Sequence, residues 1–82
     1  MFEQSCDLVK KLKRRPSDDE LLSLYGLFKQ ATVGNVNTGQ PWLVDYENRK
    51  KWDSWKANEG KTSEQAKTEY VKTYLQLARV YN

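Results

Sequence analysis

The chain has 82 residues, a net charge of +3, one cysteine and no histidine. This length fits one domain with a small core, and no apolar run is long enough to span a bilayer. The lack of histidine excludes the Ser-His-Asp and Cys-His triads, and a single cysteine leaves no zinc site. These residue types argue against an enzyme, and the positive charge favours an anionic partner.

The N-terminal residues and Cys6 indicate the cellular compartment of the protein. The first residues include acidic side chains and no continuous apolar block, so they predict no secretory signal. Cys6 cannot form an internal disulfide, which indicates a reducing compartment, and we expect a cytoplasmic protein. We interpret Cys6 as a small apolar filler on a helix and not as a nucleophile.

The first predicted helix covers residues 2–12, with one face at helical spacing: Phe2, Cys6 (or Ser5), Val9 and Leu12. A basic run from Lys10 to Arg15 follows and stops at Pro16. Such a run is most often the solvated end of a helix, where cations complement the helix dipole. One wall of a phosphate site and a nucleic-acid patch are the alternatives.

The second predicted helix begins at a capping box made by Ser17 and Glu20. It should run to about Val33 and stop at Gly34, which suits a left-handed residue after a helix. One face of this helix is formed by residues at helical spacing: Leu21, Tyr25, Phe28 and Thr32. Lys29 places a cation beside the two aromatic rings of this face. The face suits an anionic ligand with a flat ring, or else Lys29 extends its charge out of the core edge.

A loop over residues 34–46 is predicted next, rich in Gly, Asn and Thr and long for a small domain. Asp45 is a candidate N-cap for a third helix that ends near Glu59, before Gly60. Trp52 and Trp55 are three residues apart, so both are predicted to enter the core. A basic cluster, residues 49–51, lies in the first half of this helix.

The last predicted helix starts at a second capping box, Thr62 and Gln65, and runs to about Tyr81. One stripe of this helix is largely apolar and aromatic: Ala66, Tyr70, Leu77 and Tyr81. Four helices joined by turns and one long loop predict an all-α bundle that forms a single domain over residues 1–82.

Two segments give the chain a resemblance to a known family. Residues 24–35 read LYGLFKQATVGN, which resembles the YxxYKQATxGD signature of acyl-CoA-binding proteins, also called diazepam-binding inhibitors. Residues 49–55 read RKKWDSW, which is similar to the KxKWxAW segment of that family. The resemblance covers nearly the whole chain, and its motifs fall in the expected order.

The resemblance implies an up-down-down-up four-helix bundle that acts as a monomeric, non-catalytic carrier of long-chain acyl-CoA. By matching positions, Tyr25, Lys29 and Lys51 are implied to bind the 3′-phosphate of the CoA ribose, and Phe28 to stack on the adenine. Further implied ligand contacts are Lys10, Arg15 near the pantetheine, Leu21 and Leu22 beside the acyl chain, and Tyr70. No cofactor or metal is implied, and contacts with membranes or acyl-CoA-using enzymes would be transient.

Three positions depart from the family pattern. Phe28 keeps the stacking face of a tyrosine but lacks its hydroxyl, and Glu47 stands where the family often has lysine. A carboxylate near phosphates opposes their binding unless it turns away or pairs with Lys50 or Lys51. Trp42 occupies a loop position that is usually glycine.

The chemistry of the implied ligand agrees with the composition. Withdrawing about fifteen methylenes from water is worth on the order of 10 kcal/mol, and a basic rim attracts the anionic head. A small basic helical nucleic-acid-binding module is the alternative, and its affinity should collapse steeply with salt. A hydrolase acting on acyl-CoA is a poorer hypothesis because the chain lacks histidine.

Overall fold

Four α-helices make up the secondary structure of the computed structural model, which describes residues 1–82. They are α1 Phe2–Val9, α2 Asp18–Thr32, α3 Tyr46–Lys56 and α4 Ser63–Tyr81. Helix α2 packs against both α3 and α4, and α1 packs against α4. The predicted all-α four-helix bundle is therefore confirmed. No helix is both long enough and apolar enough to cross a membrane.

The starts of α2 and α4 are set by the two predicted capping boxes. The Glu20 amide donates to Ser17 Oγ at 3.2 Å, and the Ser17 amide donates to the Glu20 carboxylate at 2.9 Å. At α4 the Gln65 amide donates to Thr62 Oγ1 at 3.1 Å, and the Thr62 amide donates to Gln65 Oε1 at 2.9 Å. Each box satisfies two amides that a helix start leaves free.

The core lies between α2 and α4, with α1 packed over it. Its buried members are Leu24, Leu27, Tyr70 and Leu77. Partly buried apolar side chains surround them, including Phe2, Cys6, Val9, Leu12 and Tyr81. Cys6 therefore packs as the small filler that the sequence predicted.

Helix α1 is shorter than predicted, because it ends at Val9 and not at Leu12. Beyond it the chain crosses to the far end of α4. The Arg14 amide donates to Tyr81 O at 3.0 Å, and the Arg14 guanidinium donates to Val80 O. The basic run therefore begins at the C-cap of α1, Lys10, and its later residues lie in the linker between α1 and α2.

Helix α3 begins at Tyr46, directly after Asp45 as predicted, but it ends earlier than predicted. Asp45 occupies the N-cap position as predicted, but its side chain makes no capping bond, since its carboxylate accepts from the Asn48 side chain at 3.0 Å and from no helix amide. The helix ends at Lys56 because residues 57–60 form a turn, in which the Asn58 and Glu59 amides bond to carbonyls three residues back. Trp55 is buried as predicted, but Trp52 is only half-buried.

Two glycines fix how α2 ends and how closely it meets α3. Gly34 has φ 102°, a conformation that favours glycine, and it follows α2. Gly26 lies against α3, where a Cβ would come 2.7 Å from the carbonyl carbon of Ser54. At the same crossing Ser54 Oγ donates to Leu22 O. This close approach places α3 beside the first half of α2.

Candidate functional site

A cleft of about 460 Å³ opens between the first half of α2 and the first half of α3. We call it the α2–α3 cleft. Nine residues line it: Arg15, Asp18, Leu21, Leu22, Tyr25, Tyr46, Glu47, Lys50 and Lys51. Five of them belong to the ligand residues implied by the sequence, namely Arg15, Leu21, Leu22, Tyr25 and Lys51.

The α2–α3 cleft is apolar on one side and charged on the other. Leu21, Leu22 and Tyr25 are half-buried along α2 and form its apolar wall. Arg15 stands at its edge in an exposed ion pair with Asp18 at 2.8 Å, while Lys50 and Lys51 come from α3. A cleft of this kind suits an amphiphile with an anionic head.

Lys29 and Lys51 each rest on an aromatic ring of the opposite helix. The Lys51 ammonium lies 5.7 Å from the ring centroid of Tyr25, and the Lys29 ammonium lies 4.9 Å from the Trp55 ring. Tyr25 and Lys29 are one turn apart on α2, as Lys51 and Trp55 are on α3. The four side chains therefore interlock across the helix crossing and bring both ammonium groups to the same interface.

Sequence reasoning missed Lys50 and Tyr46 as cleft residues. The Lys50 ammonium lies 4.6 Å from the Tyr46 ring centroid, and hydrogen bonding to the Tyr46 side chain raises the pKa of Lys50. Their spacing of four residues on one helix was the available signal, since it places both side chains on one face.

Glu47 also lines the α2–α3 cleft and forms no ion pair. The carboxylate is thus not neutralised by Lys50 or Lys51. The Glu47 carboxylate would therefore repel an anionic ligand bound in this cleft.

Phe28 faces a neighbouring hollow of about 530 Å³ between α1, α2 and α4. Its ring is stacked on Phe2, with centroids 6.2 Å apart and planes 22° apart. Phe28 is 39% exposed, so part of its surface is open to a ligand. Lys67, which the sequence analysis did not single out, lines the same hollow.

Tyr70 and Lys10 do not line the α2–α3 cleft. Tyr70 is buried in the core and meets Phe2 edge-on at 5.1 Å. Burial, aided by a hydrogen bond with Cys6, raises the pKa of Tyr70. Lys10 is exposed just after α1.

Trp42 lies in the loop before α3 and is 84% exposed. Its neighbours Leu43 and Val44 are similarly exposed, so this part of the loop does not pack over the core. Nowhere do three His, Cys, Asp or Glu side chains come together to hold a metal ion.

The sequence of the chain matches a family model and individual proteins with the same description. A family model described as Acyl CoA binding protein matches residues 1–74. The chain is 48% identical over 80 residues to the Acyl-CoA-binding protein of Dictyostelium discoideum, covering 98% of this chain and 95% of that protein. It is 49% identical over 76 residues to the Acyl-CoA-binding protein of Brassica napus, covering 93% and 83%.

Solved structures agree with the sequence comparison. The crystal structure of Oryza sativa Acyl-CoA-Binding Protein 2 superposes with a TM-score of 0.89 at 45% identity, covering 95% of this chain and 87% of that chain. The solution structure of the yeast Acyl Coenzyme A Binding Protein gives a TM-score of 0.76 at 41% identity, covering 98% and 93%.

Proposed function

The chain belongs to the acyl-CoA-binding protein family, and we propose that it binds, buffers and delivers long-chain fatty acyl-CoA esters without transforming them. The relatives are named for binding and not for a reaction. A carrier needs an amphiphilic site and no catalytic group, and the α2–α3 cleft supplies such a site.

The composition of this cleft is the observation that carries the proposal. Leu21 and Leu22 offer apolar surface for an acyl chain, while Lys50 and Lys51 place cations at its other side. Burying a long acyl chain is worth on the order of 10 kcal/mol, part of which offsets the loss of motional freedom on binding. The two lysines would orient the anionic CoA head group.

We assign the binding of the CoA head group to Lys29 and Lys51, the two lysines that interlock across the α2–α3 crossing. Lys29 and Lys51 would exchange their aromatic partners for charge-assisted hydrogen bonds to the 3′-phosphate, to which the Tyr25 hydroxyl would also donate. Phe28 would stack on the adenine from the neighbouring hollow. Arg15 and Lys10 would contribute at the rim, and Tyr70 would support the hollow from beneath.

The proposal includes one binding domain over residues 1–82, a monomer in the cytoplasm, and transient contacts with membranes or acyl-CoA-using enzymes. The lone Cys6 supports a reducing compartment. No observation favours a nucleic-acid module, since Arg14 and Arg15 of the basic run are engaged with Val80 and Asp18.

Calorimetry with two ligands tests the head assignment. Palmitoyl-CoA should bind at least about 30-fold more tightly than its 3′-dephospho analogue, because loss of the phosphate leaves Lys29 and Lys51 without their shared anion. The Lys29→Ala variant should lose most of this difference. Free palmitate should bind weakly.

Lys72→Ala is the matched control, because Lys72 is an exposed lysine on α4 outside both cavities. It should retain the full difference between the two esters. Equal affinity of the wild-type protein for both esters would refute the head assignment, and failure to bind palmitoyl-CoA would refute the carrier.

A further inference from the structure

The loop before α3 exposes three successive apolar side chains. Trp42, Leu43 and Val44 are 84%, 71% and 90% exposed, and we call them the apolar tip. Exposed apolar residues are common singly, but a contiguous group of this kind marks an interaction surface. The α2–α3 cleft does not include any of the three.

The base of the loop is fixed although its tip is free. Gln40 Nε2 donates to the Asp53 carboxylate at 3.1 Å, and Trp52 Nε1 donates to Thr38 O at 3.0 Å. Directly after the tip, the Asp45 amide donates to Trp42 O at 2.9 Å, which closes a turn. The apolar tip is therefore held out from the bundle by polar contacts at its base and does not fold back onto the core.

We propose that the apolar tip docks this protein on a lipid bilayer by entering the interfacial region. Side chains this exposed stand clear of the protein and can be surrounded on all sides by lipid. Tryptophan favours the boundary between the headgroups and the acyl chains, and Leu43 and Val44 add apolar area beside it. A protein partner would instead need a matching pocket for a convex tip.

The charges next to the apolar tip are compatible with an anionic bilayer. Asp53 is engaged by Arg49 and Gln40, whereas Asp45 accepts a hydrogen bond only from the neutral Asn48 amide. Lys50 and Lys51 have no carboxylate partner, and two acids near the tip, Asp45 and Glu47, have no cationic partner. With a molecular net charge of +3, attraction to anionic lipid is weak, so docking depends chiefly on the indole and is readily reversible.

Tyr46 joins the apolar tip to the α2–α3 cleft. It directly follows the loop, is 59% exposed and also lines the cleft. Entry of the tip into a bilayer therefore brings the cleft next to the membrane surface. The docking itself needs no ligand, but its use for loading acyl chains from a membrane rests on the proposed carrier function.

Vesicle flotation of the ligand-free protein tests the docking. Vesicles of phosphatidylcholine containing phosphatidylserine should bind the wild-type protein, and Trp42→Ala should lower the partition coefficient about tenfold. Lipids brominated on their acyl chains should quench part of the wild-type tryptophan emission and much less of the variant's. Leu75→Ala is the control, since Leu75 is a 47% exposed apolar residue on α4, and it should bind vesicles like the wild type.

Several results would overturn the inference. One is equal vesicle binding by wild type and Trp42→Ala, and another is no binding by the wild type. Concentration-dependent dimerisation that Trp42→Ala abolishes would assign the tip to a second copy of the chain. A matching loss of palmitoyl-CoA affinity in vesicle-free solution would assign Trp42 to the ligand site.

The carrier function is tested separately by calorimetry without vesicles. A protein that binds vesicles through Trp42 but does not bind palmitoyl-CoA would support the docking and refute the carrier.

Discussion

Lys29 and Lys51, to which we assign the 3′-phosphate, already lie together in the ligand-free protein. Each ammonium lies over an aromatic ring of the facing helix, at 4.9 Å from Trp55 and 5.7 Å from Tyr25. The rings hold both ammonium groups at the α2–α3 interface, so each would need only a local change of rotamer to reach the proposed phosphate.

Glu47 is the side chain that most opposes an anionic ligand in the α2–α3 cleft. We expect Glu47→Lys to tighten palmitoyl-CoA binding about fivefold at low salt, since it replaces an unpaired carboxylate by a cation. Because exposed charges are screened, the gain should shrink at high salt. Calorimetry at two ionic strengths measures both effects.

Glu47→Gln is the control that separates the loss of a negative charge from the gain of a positive charge. It removes the negative charge without adding a positive one, so its gain should lie between wild type and Glu47→Lys. Unchanged affinity in both variants would show that the Glu47 carboxylate does not act on the ligand.

The two tryptophans of α3 should differ in their contribution to stability. Trp55→Ala should cost about 3–5 kcal/mol, because a buried indole is removed together with its 2.7 Å hydrogen bond to Gly34 O. Trp52→Ala should cost about 1–2 kcal/mol, since this indole is half-buried. Urea unfolding measures both values, and equal losses would contradict the difference in burial.

At the scale of elements, much of the KQATVGN segment joins helices. The buried Gln30 amide donates at 2.9 Å to both Asn35 Oδ1 and Lys61 O. Asn35 Oδ1 also accepts from the Gly60 amide at 2.9 Å, and Ser63 Oγ donates to Ala31 O at 2.7 Å. These bonds attach the end of α2 to the start of α4, so within this segment Lys29 is the candidate for binding the ligand.

Gly26 controls the distance between α2 and α3 and should tolerate no larger side chain. We expect Gly26→Ala to destabilise the fold by roughly 1–3 kcal/mol, because its Cβ would collide with the Ser54 backbone. This cost exceeds the gain in helix propensity of up to about 1 kcal/mol. Displacement of α3 should also weaken palmitoyl-CoA binding.

Gly39→Ala serves as the matched control for Gly26. A Cβ at Gly39 meets no atom within 4 Å, so its unfolding free energy and ligand affinity should stay near the wild-type values. A Gly26→Ala variant as stable as Gly39→Ala would show that α3 can shift away from α2 at little cost.

At the scale of the whole molecule, contacts with Arg14 and Glu20 attach the end of α4 to the segment that leads into α2. Arg14 binds the last carbonyls of α4, and the Tyr81 hydroxyl donates to the Glu20 carboxylate at 2.6 Å. Because Glu20 also belongs to the α2 capping box, one carboxylate links the start of α2 to the end of the chain. This hydrogen bond lowers the pKa of Glu20 below 4.5 and raises the pKa of Tyr81.

The Tyr81–Glu20 contact should make stability depend on acid pH. A lowered folded-state pKa means that its contribution is fully present above the unfolded pKa of about 4.5 and is lost as pH falls through the folded value. Tyr81→Phe should therefore lower the urea midpoint at pH 7 but much less at pH 3. Tyr74→Phe is the control, since Tyr74 is buried on α4 without an acidic partner, and its effect should be similar at both pH values.

The sequence by itself determined those features whose causes are local. Both capping boxes, the end of α2 before Gly34 and the extent of α4 were predicted because residues within four positions of one another decide them. Tyr25 and Lys51 lie in the two motifs that carry the family resemblance, and the same resemblance implied Arg15, Leu21 and Leu22. The structure brings these five to one cleft.

The tertiary structure decided what depends on distant partners. Helix α1 stops early because Arg14 bonds to Val80, 66 residues away, and Trp52 stays half-buried because its indole bonds to Thr38 in the loop. The presence of Lys50 in the cleft, the rings under Lys29 and Lys51, and the exposure of Trp42 likewise follow from how α2 and α3 meet. Helical spacing shows which residues share a face, but only the packing of a second helix decides what that face contacts.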